Sequence, residues 1–218
     1  MIIYKFVTAS NFREYWQSYL DGNIYFQSWK NYNDPAEGYF FFAPNQNAQQ
    51  ESAKTITSMK DTYTTACFAS SCTHMLLWSH YAKDHKGVCL EYEVNERTLQ
   101  RSGIQLKKIC YARKIPLLSQ QASDRDNTLT FLTTKLWFWE HESEIRLLRE
   151  DGRDGQHRIG TLKKVILGKR FEMPPWTFDQ APNEDIIGSL RARKVQIHKA
   201  DIDTNTYEIK HSATRQHG

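Results

Sequence analysis

The chain has 218 residues, with 29 Lys+Arg against 25 Asp+Glu for a formal net charge of +4, and is 39% hydrophobic and 13% aromatic. That length suits a single domain, and the large rings supply enough buriable surface for a packed core, which excludes wholesale disorder. The apolar runs at 39–43 and 75–78 fall far short of the ~18–20 residues a membrane span needs, and the start, Met1-Ile2-Ile3-Tyr4-Lys5-Phe6, lacks the features of a secretory signal, so a cytoplasmic protein without membrane contact is expected. Cys67, Cys72, Cys89 and Cys110 sit in apolar or aromatic surroundings with no Cys-x-x-Cys pair. They are expected as buried free thiols, with no metal site.

Residues 2–7 are a β-branched and aromatic run that predicts a first strand. Thr8-Ala9-Ser10-Asn11 then offers N-caps for a helix over 12–20, whose Phe12, Trp16, Tyr19 and Leu20 recur at helical spacing. Asp21-Gly22-Asn23 stops that helix, Ile24-Tyr25-Phe26 predicts a short strand, and 31–35 a turn. Residues 43–60 are polar, and helix and loop are both open there. Strands are expected at 63–70, 87–94 and 104–112, with a short helix over 73–82. A polar helix-like stretch follows Pro116, and 128–139 predicts a helix with Leu129, Leu132, Leu136 and Trp139 on one face. Residues 142–149 alternate as an amphipathic strand. Asp151-Gly152 and Asp154-Gly155 suit a hairpin connection that 162–167 closes or runs beside. Pro174-Pro175 opens a loop, 185–193 predicts a helix, and 195–198 and 207–210 give two last strands. Strands and helices mix without a crossover rhythm, which predicts an α+β fold, with one domain over 1–210 and a frayed tail over 211–218.

Four stations stand out. Alternation puts Tyr4 and Lys5 on opposite faces of the first strand. Asn33-Asp34-Pro35 with Glu37 is explained by a structural turn, in which proline fixes the backbone and Asn or Asp accepts turn hydrogen bonds. Ser70-Ser71 precede Trp78-Ser79-His80-Tyr81 and His85-Lys86-Gly87; a core seam accounts for Trp78 but not for two histidines and a tyrosine beside it. The last station is Lys135, Trp139, Glu140, Glu142, Glu144 and Arg146. On a strand, Glu142, Glu144 and Arg146 project from one face, the guanidinium offsetting the repulsion of the carboxylates. With Trp137-Phe138-Trp139 upstream that strand is expected to be central, where a carboxylate pair is expensive unless it is used. There is no phosphate-binding glycine loop, dinucleotide fingerprint, serine elbow or His-Glu-x-x-His pair.

In this order the stations resemble a bacterial family, domain of unknown function 2971 (DUF2971). The resemblance rests on Ile3-Tyr4-Lys5-Phe6, Ile24-Tyr25-Phe26 leading to Asn33-Asp34-Pro35-Ala36-Glu37, and Leu77-Trp78-Ser79-His80-Tyr81 with His85-Lys86-Gly87-Val88-Cys89-Leu90. It continues through Lys135 and Trp139 to Glu142-Ser143-Glu144-Ile145-Arg146-Leu147, and ends at Val165-Ile166-Leu167-Gly168.

The same succession resembles the three-part site of ADP-ribosyltransferases, which implies a split, twisted, mixed or antiparallel sheet flanked by helices and clamping NAD. On that resemblance Glu144 stabilises the oxocarbenium-like ribose left when nicotinamide departs, and Glu142 orients the acceptor. Tyr81 or Trp78 stacks the nicotinamide, Ser71 bonds the ribose, and Tyr4 belongs to the same NAD site. Lys5, standing where many such enzymes carry His or Arg, and Arg146 neutralise the pyrophosphate or hold Glu144. The implied partners are NAD as substrate, a nucleic-acid or protein acceptor, and an antitoxin, for a toxin or antiphage effector. Two rival readings are an NAD-independent hydrolase using Glu142, Glu144 and His80, and a non-catalytic nucleotide- or partner-binding module of a toxin-antitoxin or defence system.

Overall fold

Along the chain the strands are β1 (Ile2–Val7), β2 (Asn23–Ser28), β3 (Tyr63–Ala69), β4 (Val88–Glu93), β5 (Ile104–Lys108), β6 (Cys110–Ala112), β7 (Thr134–Leu136), β8 (Glu144–Glu150), β9 (Gly155–Arg158), β10 (Thr161–Leu167), β11 (Gln196–Ile202) and β12 (Ile209–Ala213). The helices are α1 (Ala9–Leu20), α2 (Asn47–Lys60), α3 (Met75–Tyr81), α4 (Glu96–Arg101), α5 (Asp124–Leu132) and α6 (Ile186–Ala192), with 3-10 turns at Trp29–Asn31 and Trp137–Glu142. The fold is α+β. This computed structural model describes residues 1–42, 47–172 and 186–214. The loop expected at Pro174-Pro175 and the last residues, 215–218, lie outside the described residues. The chain divides into two compact units, one of Met1–Ile24, Phe68–Asn95 and Arg158–Gly218, the other of Tyr25–Cys67 and Glu96–His157.

In the first unit the strand order is β12-β11-β10-β4-β1. β4 pairs antiparallel with β1, Tyr4 opposite Glu91 and Lys5 opposite Leu90, so Tyr4 and Lys5 do lie on opposite faces. β10 pairs antiparallel with β4 and parallel with β11, which makes the sheet mixed. One sheet face packs Cys89, Ile166, Ala200 and Ile209 with Cys72, Trp78 and Ala82. On the other face lies Tyr92, whose hydroxyl donates to the Tyr19 carbonyl of α1 at 3.0 Å. That helix buries Phe12, Trp16 and Tyr19 as its spacing predicts, and Thr8 caps it by accepting the Asn11 N–H, satisfying an orphan donor of the first turn. Gly87 ends the turn before β4, where a Cβ would come within 2.2 Å of the Val7 carbonyl oxygen.

β10 does not close a hairpin with 142–149 as expected. Nor does it run beside that strand, because its two edges are taken by β4 and β11. β12 pairs with β11 through Ala213, so 211–213 are strand rather than frayed tail.

In the second unit β8 pairs with β5 antiparallel, Lys107 opposite Arg146, and also with β3, while β2 lies between β3 and β9. β6 and β7 form a short parallel pair with Tyr111 opposite Lys135. α2 packs on α5 through Ala53, Ile56 and Phe131, where Phe40 stacks at 4.4 Å. Ser123 caps α5, its hydroxyl accepting the Asp126 N–H. The helix predicted over 128–139 stops at Leu132, because the Thr133 and Thr134 hydroxyls take the Leu129 and Thr130 carbonyls at 2.7 Å each and β-branched residues favour extended backbone. The expected 104–112 strand breaks at Ile109, whose N–H turns to the Glu144 carbonyl. Cys72 and Cys89 are buried thiols, Cys67 is half-buried, and Cys110 is exposed, on a strand of the small parallel pair. No described helix is long and apolar enough to cross a membrane.

Trp78 is fully buried, its indole N–H donated to the Cys72 carbonyl at 2.7 Å and Phe6 edge-on at 5.2 Å. Trp78→Ala is expected to cost about 3–5 kcal/mol of unfolding free energy, the range for emptying an aromatic site in a core. Urea denaturation measures it, and a loss below about 1 kcal/mol would contradict this role.

Candidate active site

The Glu-x-Glu station becomes a buried ionic network of the second unit. β7 delivers Lys135, and the 3-10 turn that follows returns the chain to β8 through Ser143, held in the left-handed region at φ 44°. Glu142 is therefore not on the strand as predicted, since β8 starts at Glu144. It reaches the network from the turn, and only Glu144 and Arg146 share a strand face. The Tyr111 hydroxyl accepts the Glu144 N–H at 2.8 Å and fixes the start of β8.

Lys135 Nζ lies 2.6 Å from Glu142 Oε2, 3.1 Å from Glu37 Oε1 and 3.3 Å from Glu144 Oε2. Arg146 Nε and Nη2 both donate to Glu144 Oε1, at 2.8 and 2.7 Å, and Nη2 also meets Glu37 Oε2 at 2.6 Å. Its Nη1 donates to the Leu132 carbonyl at the end of α5, and the guanidinium lies 4.2 Å from the centroid of the Tyr32 ring. All five charged side chains are buried. Burial of so many charges is tolerable only because they are mutually paired.

Glu37 comes from the turn read as structural in the sequence. Asp34 does build that turn, its Oδ1 accepting the Ala36 N–H at 2.9 Å. Glu37 then points into the network, and Lys60, buried over the Trp29 ring, donates to the next carbonyl, that of Gly38, at 2.7 Å. Tyr32, Cys67 and Tyr111 were not foreseen, and Glu37 and Lys135 stood in the stations without an assigned role. For Glu37 and Lys135 the signal was present, because both stand in the motifs quoted for the family.

Three carboxylates face two cations, so one negative charge is in excess when all are ionised, and the environment divides it unevenly. Burial pushes Glu37 up, and the nearby Arg146 and Lys135 only partly reverse that. Burial also pushes Glu144 up, but there Arg146 and Lys135, with the Cys67 thiol as donor, prevail and hold the carboxyl below its ordinary value. Burial pulls Lys135 down, and the surrounding glutamates outweigh it and keep the ammonium charged. Burial pushes the Tyr111 phenol up to about 12.

The remaining predicted residues belong to the first unit. Tyr4 is half-buried on the sheet face that carries Glu91, which pairs with Lys164 at 2.8 Å; farther along that face His198 and His211 bring their Nδ1 atoms to 2.9 Å. Lys5 sits 5.3 Å from the centroid of the Phe68 ring. Ser71 is used in a local turn, accepting the Thr73 N–H at 3.1 Å. His80 is exposed on α3, with Tyr81 edge-on to it at 6.3 Å. Trp78, expected as a stacking ring, is core: Phe6 and His85 pack on it, leaving no face for a ligand. Trp137 and Phe138, taken as the sign of a central strand, are 48% and 61% exposed. The centrality of β8 comes instead from its two strand neighbours.

Residues 77–147 match the family model DUF2971, described as a protein of unknown function. This stretch is similar to that family. It carries the Trp78-to-Tyr81 helix and every network residue except Glu37, so the DUF2971 resemblance read from the sequence holds there. No curated protein and no solved structure matches the chain.

Carboxyl-carbon NMR should show Glu37 titrating above 4.5 and Glu144 below it. The stability Glu144 contributes is then present above 4.5 and lost as pH falls through its folded value. That of Glu37 runs the other way, present below 4.5 and lost as pH rises through its folded value. The reverse order of midpoints would refute this division. Arg146→Met, which strands carboxylates in the interior, is expected to cost about 3–5 kcal/mol in chemical denaturation.

Proposed function

We propose that the chain is an ADP-ribosyltransferase that breaks the N-glycosidic bond of NAD and passes the ADP-ribose to an acceptor, with Glu144 as the anion beside the reacting ribose. The observation that supports this best is the division of the carboxylates within one network, Glu144 held ionised and Glu37 held toward its neutral form. Groups whose environments push their pKa values apart are the usual signature of separate acid and base duties. Loss of nicotinamide leaves positive charge on the ribose, and a fixed anion in a water-poor site stabilises that charge more than water could. The negative charge in excess in the network suits the same demand. Glu142, its Oε2 held by Lys135, orients the acceptor nucleophile and takes up its proton. Arg146 is committed to Glu144, Glu37 and the Leu132 carbonyl, and so acts as a positioning residue rather than as a clamp on pyrophosphate. An acceptor in nucleic acid or protein, a cytoplasmic setting, a neutralising partner and a role as toxin or antiphage effector are proposed with the activity.

One feature favours a second reading, a nucleotide-binding module without turnover. The ammonium of Lys135 has three donors and three carboxylate partners, so the network is nearly self-satisfied, as a structural pin would be.

Labelled NAD incubated with the chain and cell extract separates the two. Transfer of label to an acceptor, lost by about 100-fold or more in Glu144→Gln while the thermal transition persists, is the expected result. Intact NAD with the natural sequence, or unchanged turnover in the variant, would overturn the proposal; ligand protection without nicotinamide release would establish the binding module.

A further inference from the structure

In the first unit, on the sheet face that carries Tyr4, two imidazoles meet. β11 and β12 pair antiparallel with His198 opposite Ala213 and Ala200 opposite His211, so the two histidines are diagonal neighbours on one face, both half-buried. Their Nδ1 atoms are 2.9 Å apart and their ring centroids 5.0 Å apart at 62°. A neutral imidazole carries one N–H and one bare nitrogen. The contact is a hydrogen bond only when one ring holds its proton on Nδ1 and the other leaves Nδ1 bare, so the pair consists of opposite tautomers.

A first added proton leaves this bond in place, because the donating ring takes it on Nε2 and a charged donor bonds more strongly. A second proton puts an N–H on both facing nitrogens, and the rings must part. The surroundings resist that charge. Lys164 of β10 lies on the same face and repels it, while Glu91 of β4, held by Lys164 at 2.8 Å, attracts it. Burial and Lys164 hold both imidazoles below 6.5, and Glu91 reverses this only in part. Tyr4 of β1 and Cys72, in the segment before α3, complete the face; burial pushes the phenol and the thiol up, so both stay neutral where histidine titrates. His74 follows Thr73, whose carbonyl accepts the Ile209 N–H at 2.9 Å. Lys199, Asp201 and Lys210 alternate onto the other face.

β12 ends the strand order and has β11 as its one strand neighbour among the described residues. Ile209 anchors its start in the core, whereas Ser212 and Ala213 are exposed. Edge segments with few buried contacts open most readily.

We propose that the His198–His211 pair is an acid-operated latch: its hydrogen bond holds the edge strand while the pair carries at most one added proton, and the second proton loosens β12 from β11. The latch is independent of any reaction with NAD. The stability it supplies is present above 6.5 and lost as pH falls through the folded values of the two rings.

Amide hydrogen exchange of the full chain, corrected for intrinsic exchange rates and compared between pH about 7.5 and about 5, tests it. Protection of the β12 amides is expected to fall about tenfold or more at the lower pH, while that of β4 is kept. His211→Gln cannot take the proton, so the response of β12 to pH should vanish there and persist in His74→Gln. Imidazole nitrogen NMR of the natural chain gives a second reading, with one Nδ1 protonated and the other bare near neutrality, and two separate protonation steps. Unchanged β12 protection, an equal loss in β4, a response that survives in His211→Gln or is lost in His74→Gln, or the same tautomer on both rings would overturn the latch.

Discussion

The pairing of Arg146 and Lys135 with three glutamates is the constraint around which the second unit is organised. None of these charges can be buried alone, and the five come from four pieces of chain: Glu37 from the turn after β2, Lys135 from β7, Glu142 from a 3-10 turn, and Glu144 and Arg146 from β8. The surrounding elements then serve to hold these deliveries in place. α5 ends where its Leu132 carbonyl can take an Arg146 donor, and Tyr111 clamps the first amide of β8. Lys60 secures Gly38, whose φ of +75° lets the chain pass under Trp29. Such networks add little net stability compared with a well-packed apolar core, but they tolerate very few alternative arrangements. Their contribution is to specificity of position.

The same network explains how chemically identical side chains acquire different proton affinities. Glu37 and Glu144 each touch both cations, but at Glu144 the cations and the Cys67 thiol outweigh burial, whereas at Glu37 burial prevails. Asp34, three residues before Glu37, presents a third situation, one oxygen engaged in a turn and the other unmatched.

The local elements were legible in the sequence wherever a single mechanism governs them. The Thr8 cap and the Phe12, Trp16, Tyr19 spacing place α1 to within a few residues, and strand alternation correctly separates Tyr4 from Lys5. Residues 128–139 misled because their apolar spacing fits a helix, while two threonine hydroxyls end it early. Glu142 converges with Glu144 although one residue between them is left-handed, a conformation that strand periodicity does not foresee. Glu37 was quoted within a motif yet read as part of a turn, since nothing in local spacing tells that its partner stands 109 residues away. Trp78 shows the opposite case: a core seam accounts for it, and its full burial does not suit the stacking role that the resemblance implied.

Both units are discontinuous in the chain: the second is interrupted by residues 68–95, which belong to the first. During synthesis, then, neither can be completed in the order in which it emerges. Glu37 leaves the ribosome long before Lys135 and Arg146 exist, and must stay hydrated until they arrive, because burying it earlier would leave a charge unpaired. Domains usually fold as units, N-terminal first, as they are made. Here that economy is denied to the part of the molecule that holds the ionic network. Its assembly waits for β8, and the first unit waits longer still, for β11 and β12. Pairings between segments so distant in sequence form slowly, and the nascent chain spends that interval with its strand edges and apolar faces exposed.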